Sequence, residues 1–337
     1  MNKTKLLSVW VVGVVVTTLV VLASLWTSAL YLPRTARASS DIYVEIKPGS
    51  SVRTIADTLQ SKGIISSPLV FTLYARMSGK GDRLIPGTYA FRPTMSIPKL
   101  VEYLASGRVA ARTITVPEGY TVNRIAELWR GAGLGSAEEF TTAAKQTYNY
   151  SFLPSPTADM KYPIEGYLLP LTYNVAINAT PQDFINQMLR AFELQVLPII
   201  EAARVKQTPA RSVAQIVTLA SIVELEANDP ANRAKVAGVF DNRMARGMAL
   251  ESDVTVIYAT GRIDITAADL RNPSPYNTRL RKGLPPGPIC NPGLEAINAV
   301  LNPSKSDYIF FLAGTDGEVY YAKTLLEHNQ NIARYLK

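Results

Sequence analysis

Residues 212–228 read SVAQIVTLASIVELEAN, and the fold is read outward from how this stretch coils. Val213, Ile216, Val217, Ala220 and Val223 recur at the i, i+3, i+4, i+7 interval of one buried helical face. Glu224 falls on the same stripe, four residues after Ala220 and seven after Val217. Glu226 lies about 200° further round a helix of 3.6 residues per turn and is expected to face solvent. An acid on an apolar helix face is rarely buried without a partner or a purpose. From this helix alone the plainer reading is that Glu224 marks the edge of the stripe, where polarity returns.

On the C-terminal side, Asn232–Arg246 forms a second amphipathic pattern with Val236, Val239, Phe240 and Met244 on one side. The chain then turns irregular and polar through Glu251-Ser252-Asp253, Tyr276-Asn277-Thr278 and Gly283-Leu284-Pro285-Pro286-Gly287-Pro288-Ile289. Walls rich in Pro and Gly are rigid without secondary structure, which suits the lining of a groove. Tyr308–Ala313 and Val319–Ala322, joined through Thr315-Asp316-Gly317, read as a β-hairpin, with His328 on a final helix. On the N-terminal side, Thr180-Pro181 opens a helix expected to run to about Val205, and Ser136-x-x-Glu139 is a capping box.

Further upstream a small unit repeats. Ile42–Ile46 alternates as a strand, Pro48-Gly49 turns it, and Ser51-Val52-x-x-Ile55-Ala56-x-x-Leu59 is a capped amphipathic helix. Ile114-Thr115-Val116, Pro117-Glu118-Gly119 and Thr121-Val122-x-x-Ile125-Ala126-x-x-Trp129 repeat it, and Ser96–Leu104 after Thr88–Phe91 is a partial third copy. A strand, a Pro-Gly turn and Ser/Thr-Val-x-x-Ile-Ala resemble the opening of LysM-type modules, which hold N-acetylhexosamine polymers. An ordinary β-turn-α packing unit would carry the same turn chemistry and periodicity.

The 337 residues can hold two or three domains with their own cores. The formal net charge of +8 would suit nucleic acid, an anionic membrane surface or an acidic polymer. No run of five or more basic residues and no RNP, zinc-finger or P-loop spacing occurs, so nucleic acid is not expected as a partner. One cysteine, Cys290, excludes an intrachain disulfide and a cysteine metal site, and one histidine excludes a site built on several. Neither a metal nor a cofactor is expected.

No charge interrupts the chain between Lys5 and Arg34, and residues 6–32 are nearly all apolar, with Trp10, Trp26 and Tyr31 near the edges. That exceeds the roughly 20 residues needed to cross hydrocarbon and outruns a signal-peptide core. An uncleaved single-pass anchor is expected over cleavage at Ala36-Arg37-Ala38, although Lys3 and Lys5 on one side face Arg34 and Arg37 on the other. A short tail and a large polar body place residues 1–5 in the cytoplasm and the rest outside it. The fold expected is α+β: an anchor at 6–32, a linker at 33–41, a LysM-like α/β subdomain at 42–111 and an α+β catalytic domain at 112–337.

Several motifs together resemble the endolytic murein transglycosylase family, the YceG-like group. They are Glu165-Gly166-Tyr167 with Pro170, Leu219–Glu224, Val239-Phe240-x-Asn242-Arg243 and Asp253-x-Thr255-Val256-Ile257-Tyr258. Tyr276-Asn277-Thr278, Gly283–Ile289, Asn291-Pro292-Gly293 and Glu327-His328-Asn329 continue the set. Three positions depart from it: Leu171 stands where Asp is common, Glu251 where Gln is expected and Val319 where His is frequent. The Leu225-Glu226 pair replaces a frequent Lys/Arg-Glu.

The resemblance implies cleavage of the MurNAc-β-1,4-GlcNAc bond inside peptidoglycan strands at the cell membrane, with penicillin-binding proteins as neighbours. It assigns the acid to Glu224. Burial on an apolar face raises a carboxyl pKa, as protonation of a leaving oxygen near neutral pH requires. The same Glu, once ionised, could take the proton of the muramyl C6 hydroxyl as that oxygen closes on C1. Asn242, Tyr276, Asn277, Thr278 and Asn291 have the chemistry to hydrogen-bond acetamido and hydroxyl groups, and Arg243 to hold a carboxylate of the muropeptide. Each also has a reading as a cap, a turn or a surface ion pair. Two rivals stay open: a hydrolase in which Glu251 or Asp253 supplies a second carboxylate, and a non-catalytic peptidoglycan-binding scaffold. His328 and Cys290 read as packed residues without a metal or thiol role.

Overall fold

Every residue from Ile216 to Glu224 is buried in the helix Val213–Glu226, so this helix has no solvent face along its middle. No charged residue occurs between Ser212 and Val223, and a helix apolar all round belongs in a core. The computed structural model describes residues 3–32, 40–205, 211–227 and 229–336. Met1 and Asn2 of the expected tail, most of the expected linker with Ala36-Arg37-Ala38, and Asn228 lie outside the described residues. The architecture is mixed helix and strand, and the chain divides into two compact units: Met1–Arg112 with Val175–Asn178, and Thr113–Asn174 with Ala179–Lys337.

The first unit contains α1 (Lys3–Tyr31), β1 (Ile42–Ile46), α2 (Val52–Ser61), α3 (Pro68–Met77), β2 (Gly87–Phe91) and α4 (Ile97–Ser106). β1 and β2 pair antiparallel with Val44 opposite Tyr89. Ser51 accepts the Thr54 N–H at 3.1 Å and so caps α2, which buries Ile55, Ala56 and Leu59. Phe71, Phe91, Leu100 and Leu104 complete this core, and Leu30 at the end of α1 enters it with Trp26 packed alongside. From Trp10 to Tyr31, α1 has a mean hydropathy of 2.1 and is the one described helix long and apolar enough to cross a membrane.

The units divide β3 (Ala111–Thr115) and β4 (Thr172–Ala176), and the second holds α5 (Val122–Gly131), α6 (Ala137–Ala144), α7 (Pro181–Gln195) and α8 (Leu197–Arg204). It continues with α9 (Val213–Glu226), α10 (Pro230–Ala245), α11 (Asp253–Thr260), α12 (Leu294–Leu301), β5 (Phe310–Ala313), β6 (Val319–Ala322) and α13 (Leu325–Tyr335). Thr121 caps α5 as Ser51 caps α2, accepting the Arg124 N–H at 3.3 Å. β3 pairs with β4, and the Thr115 and Thr172 hydroxyls meet at 2.9 Å. The first two strand-turn-helix copies, at β1 and β3, therefore take their second strand from a later part of the chain.

The single helix expected from Thr180 to about Val205 is two. Val196 separates α7 from α8, and Pro198 in the first turn of α8 has no N–H to continue the ladder. Trp129, Phe140 and Phe184 form an aromatic core with ring centroids 5.9–6.1 Å apart. α9 packs between α10, α12, α8 and α11, and the β5–β6 hairpin sets Phe310 opposite Ala322.

Candidate active site

The last turn of α9 presents two carboxylates to two different surroundings. Glu224 is buried, and a donor occupies each of its oxygens. Arg233, from the first turn of α10, reaches Oε1 with Nη2 at 2.6 Å, and the N–H of Gly293, which caps α12, reaches Oε2 at 2.9 Å. The same guanidinium donates to Glu295 at 2.9 Å and to the Ala227 carbonyl at 3.1 Å. The Glu118 carboxylate fills the space where a Cβ on Gly293 would stand, so a side chain there would displace it. Burial pushes the Glu224 carboxyl up. The Gly293 N–H and Arg233 pull it down, while Glu118 and Glu295 push it up again. A carboxyl receiving a donor on each oxygen acts as an acceptor on both sides, so it is arranged to hold α10 and α12 against α9.

Glu226 was expected in solvent, but it lines a cavity of about 380 Å³. The two-residue offset from Glu224 does turn it away, but the side it turns to is covered by the Ser252–Asp253 segment, so the direction leads into a cleft. Ser252 donates its hydroxyl to Glu226 Oε1 at 2.6 Å, and the other oxygen has no hydrogen-bond partner among the described residues. Burial pushes its pKa up. The Ser252 bond lowers it, the Asp253 charge raises it and Arg279 lowers it. Asp253 is ion-paired to Arg279 on one wall. On another, Arg243 lies 2.8 Å from Glu251, with Phe310 and His328 alongside.

Of the residues expected to bind substrate, the structure brings Arg243, Glu251 and Asp253 to this cavity. It spends the other side chains elsewhere. Asn242 donates to the Ser306 and Tyr308 carbonyls at 2.8 and 2.9 Å. Asn277 donates to the Leu270 and Asn272 carbonyls, and the Thr278 hydroxyl is shared with Thr255 at 2.9 Å. Tyr276 packs on Tyr258 at 4.9 Å and lines a separate cavity of about 320 Å³.

Asn291 is fully buried; its oxygen accepts the Gly166 and Leu168 N–H groups, and its nitrogen donates to the Tyr120 carbonyl and to Glu165. Glu165 is itself fully buried and also accepts from the Val122 N–H at 2.9 Å and the Tyr258 hydroxyl at 3.1 Å. Burial pushes the Glu165 carboxyl up to about 8 against these donors. The Glu165-Gly166-Tyr167 motif thus joins α5, α11 and the Asn291 segment from within. Gly166, at φ 90°, leaves its missing Cβ to Pro288 and Val217.

The chain matches the YceG-like family over residues 44–334. It belongs to the YceG-like family. It is 32% identical over 335 residues to a Bacillus subtilis protein named endolytic murein transglycosylase, covering 93% of this chain and 90% of that protein. A Streptococcus pneumoniae protein of the same name is also 32% identical over 335 residues, but this chain spans only 60% of its length. The crystal structure of a putative YceG-like protein from Listeria monocytogenes aligns with a TM-score of 0.61 and 33% identity, covering 87% of this chain and 99% of that one.

Glu251 and Val319 line the cavity of this YceG-like chain, whereas Leu171 is exposed beside β4. Sequence reading did not assign Glu226, Ser252, Arg279 or Phe310 to a site. The signal available was the absence of charge along α9, which marks a helix buried along its middle whose closing carboxylates lie near the core. Among the described residues no group of three or more His, Cys, Asp or Glu is placed to hold a metal ion.

Proposed function

We propose that this chain is a membrane-anchored endolytic lytic transglycosylase that cuts the MurNAc-β-1,4-GlcNAc bond within peptidoglycan strands. Glu226 is its single general acid and base. One observation carries the assignment: Glu226 is the acid that is both desolvated and open to a cavity, with one oxygen free of any described partner. Glu224, assigned from the sequence, has both oxygens occupied and lines none of the cavities described. The names of the Bacillus and Streptococcus relatives support the substrate and the endolytic mode.

In this reading the proton of Glu226 passes to the departing GlcNAc oxygen as the C1–O bond breaks. The ionised carboxylate then accepts the proton of the muramyl C6 hydroxyl while that oxygen bonds to C1. The product carries a 1,6-anhydro end and no water is consumed. Intramolecular attack gains effective concentration over solvent, and no second carboxylate is needed. The carboxylates available for a hydrolytic step, Glu251 and Asp253, are each held by an arginine. The apolar length of α1 supports a single-pass anchor, and a peptidoglycan substrate requires the catalytic unit to lie outside the cytoplasm. The repeated strand-turn-helix pieces support a LysM-like role in orienting glycan. Penicillin-binding proteins as neighbours rest on the family resemblance alone.

Mass spectrometry of purified strands digested with the parent protein and with Glu226→Gln tests this reading. Anhydro ends from the parent alone are expected. Reducing ends would establish the hydrolase, and no cut by the parent would leave the scaffold.

A further inference from the structure

The far wall of the Glu226 cavity contains three features that the cutting chemistry does not use. Arg243 is almost fully buried, and two of its nitrogens are fixed: Nε donates to the Ala249 carbonyl at 2.7 Å and Nη1 to the Ile309 carbonyl at 3.0 Å. Its third nitrogen, Nη2, lies 2.8 Å from Glu251 Oε2 but out of alignment, so it is buried with an ion pair and no hydrogen bond. His328 Nδ1 is likewise buried without a partner, and its ring stacks on Phe310 at 5.1 Å while the Arg243 guanidinium lies 5.5 Å from the same ring. Among the described residues four buried side-chain polar atoms have no hydrogen bond, and two of them belong to this one wall. Both atoms are shut off from solvent, so a ligand reaches them only where a covering side chain moves, and unsatisfied groups beside a cavity call for such a partner.

The third feature is Glu251. It is the one described non-glycine residue with positive φ, at 56°, a backbone state that a Glu adopts at a cost. Its N–H holds the Thr278 carbonyl at 3.1 Å, while its side chain is 50% exposed. A buried guanidinium needs an anion at all times, whereas a half-exposed carboxylate gives up an ion pair cheaply because water replaces it. Arg243 keeps its place when Glu251 leaves, since the two backbone carbonyls hold it.

We propose that Arg243 is the carboxylate-reading group of this cavity and that Glu251 is its resting occupant, displaced when a carboxylate of the glycan strand binds. The proposal rests on the reading of the cavity as a glycan site. Planar guanidinium suits the exchange, because a well-aligned substrate carboxylate makes the hydrogen bond that Glu251 does not. His328 adds a hydrogen-bonding atom beside it. Two sources offer the chemistry: the lactyl carboxylate of a peptide-free muramyl unit, and the carboxylates of a stem peptide.

Binding is measured on the full-length chain carrying Glu226→Gln, with and without Glu251→Gln, against three probes. These are peptide-bearing strands, strands stripped of peptide, and chito-oligosaccharide, which has no carboxyl group. Glu251→Gln removes the competing charge at an exposed side chain and is expected to tighten a carboxylate-bearing probe about 3–10-fold, the gain fading at high salt. The probe that gains identifies the source. His328→Phe retains the stack on Phe310, removes Nδ1 and is expected to weaken the same probe. Unchanged affinity for all three probes, or equal tightening of chito-oligosaccharide, overturns the proposal. In the otherwise unaltered protein Glu251→Gln should lower KM for the carboxylate-bearing strand. Loss of cutting there would make Glu251 the second carboxylate and defeat the displacement proposal. Carboxylate-selective tightening in a protein whose parent does not cut would support the Arg243 site while refuting the proposed chemistry.

Discussion

The two sides of the last turn of α9 differ in what they leave undone. Around Glu224 every strong group is matched: Arg233 meets two carboxylates and a carbonyl, and the Gly293 N–H takes the remaining oxygen. Around Glu226 there is one hydrogen bond, an open cavity, and a wall with two unsatisfied polar atoms. Two carboxylates two residues apart on the same helix thus meet opposite surroundings, and the proposed reading makes one a brace and the other the reagent. Burial raises both, so burial alone does not distinguish them. The number of donors already spent on each does.

The largest effect expected is on rate. Glu226→Gln keeps the shape and the Ser252 contact but cannot supply or recover a proton, so anhydro-end production should fall by about 10²–10⁴-fold with unfolding unchanged. Glu224→Gln should do the reverse. It leaves Arg233 with only Glu295 as a charged hydrogen-bond partner, and unfolding by denaturant should show a loss of about 1–3 kcal/mol with cutting chemistry retained. A folded Glu224→Gln protein that has lost all cutting, beside an active Glu226→Gln protein, would exchange the two roles.

Glu165 offers a third buried carboxyl that belongs to neither side. With its pKa raised from 4.5 to about 8, folding takes up a proton between those values. Its contribution to stability is therefore fully present below about 4.5 and lost as pH rises through about 8. In Glu165→Gln the amide oxygen can accept from Val122 and Asn291 while the amide nitrogen donates to Tyr258. The melting temperature of this variant relative to the parent should climb across that window and level off above it, as calorimetry at several pH values would show. A difference that stays flat with pH would show that Glu165 does not titrate there.

Smaller and finer are the effects of the groups beside Glu226. The acid must be protonated to act, so activity falls as pH rises past its raised pKa. Ser252→Ala removes a bond that favours the ionised form and should move this fall to higher pH. Asp253→Asn removes a like charge and frees Arg279, and should move it to lower pH. Each should change the maximal rate by no more than about tenfold. Shifts in the same direction would mean that the fall reports some other group.

Much of the architecture is legible because it is local. The caps at Ser51, Thr121, Ser136 and Ser212 each precede their helix by one residue, and the Thr315-Asp316-Gly317 turn announces the hairpin. The site is less legible because its logic is long-range. Arg233 reaches Glu224 from the next helix, and Asn291 meets Glu165 across more than a hundred residues. A helical wheel gives the angle between Glu224 and Glu226 but not what stands opposite each. Asn242, Asn277 and Asn291 have the composition of a sugar site, yet nearby carbonyls and N–H groups claim their amides.

Trp26 and Leu30 have a mechanical consequence. They sink the end of α1 into the core shared by α3 and α4, so the helix is not hung on a swivel. A pull or a tilt applied along α1 falls first on α3 and α4, against which it packs. Where α1 crosses a bilayer, the first unit is held near the lipid surface in which the helix stands.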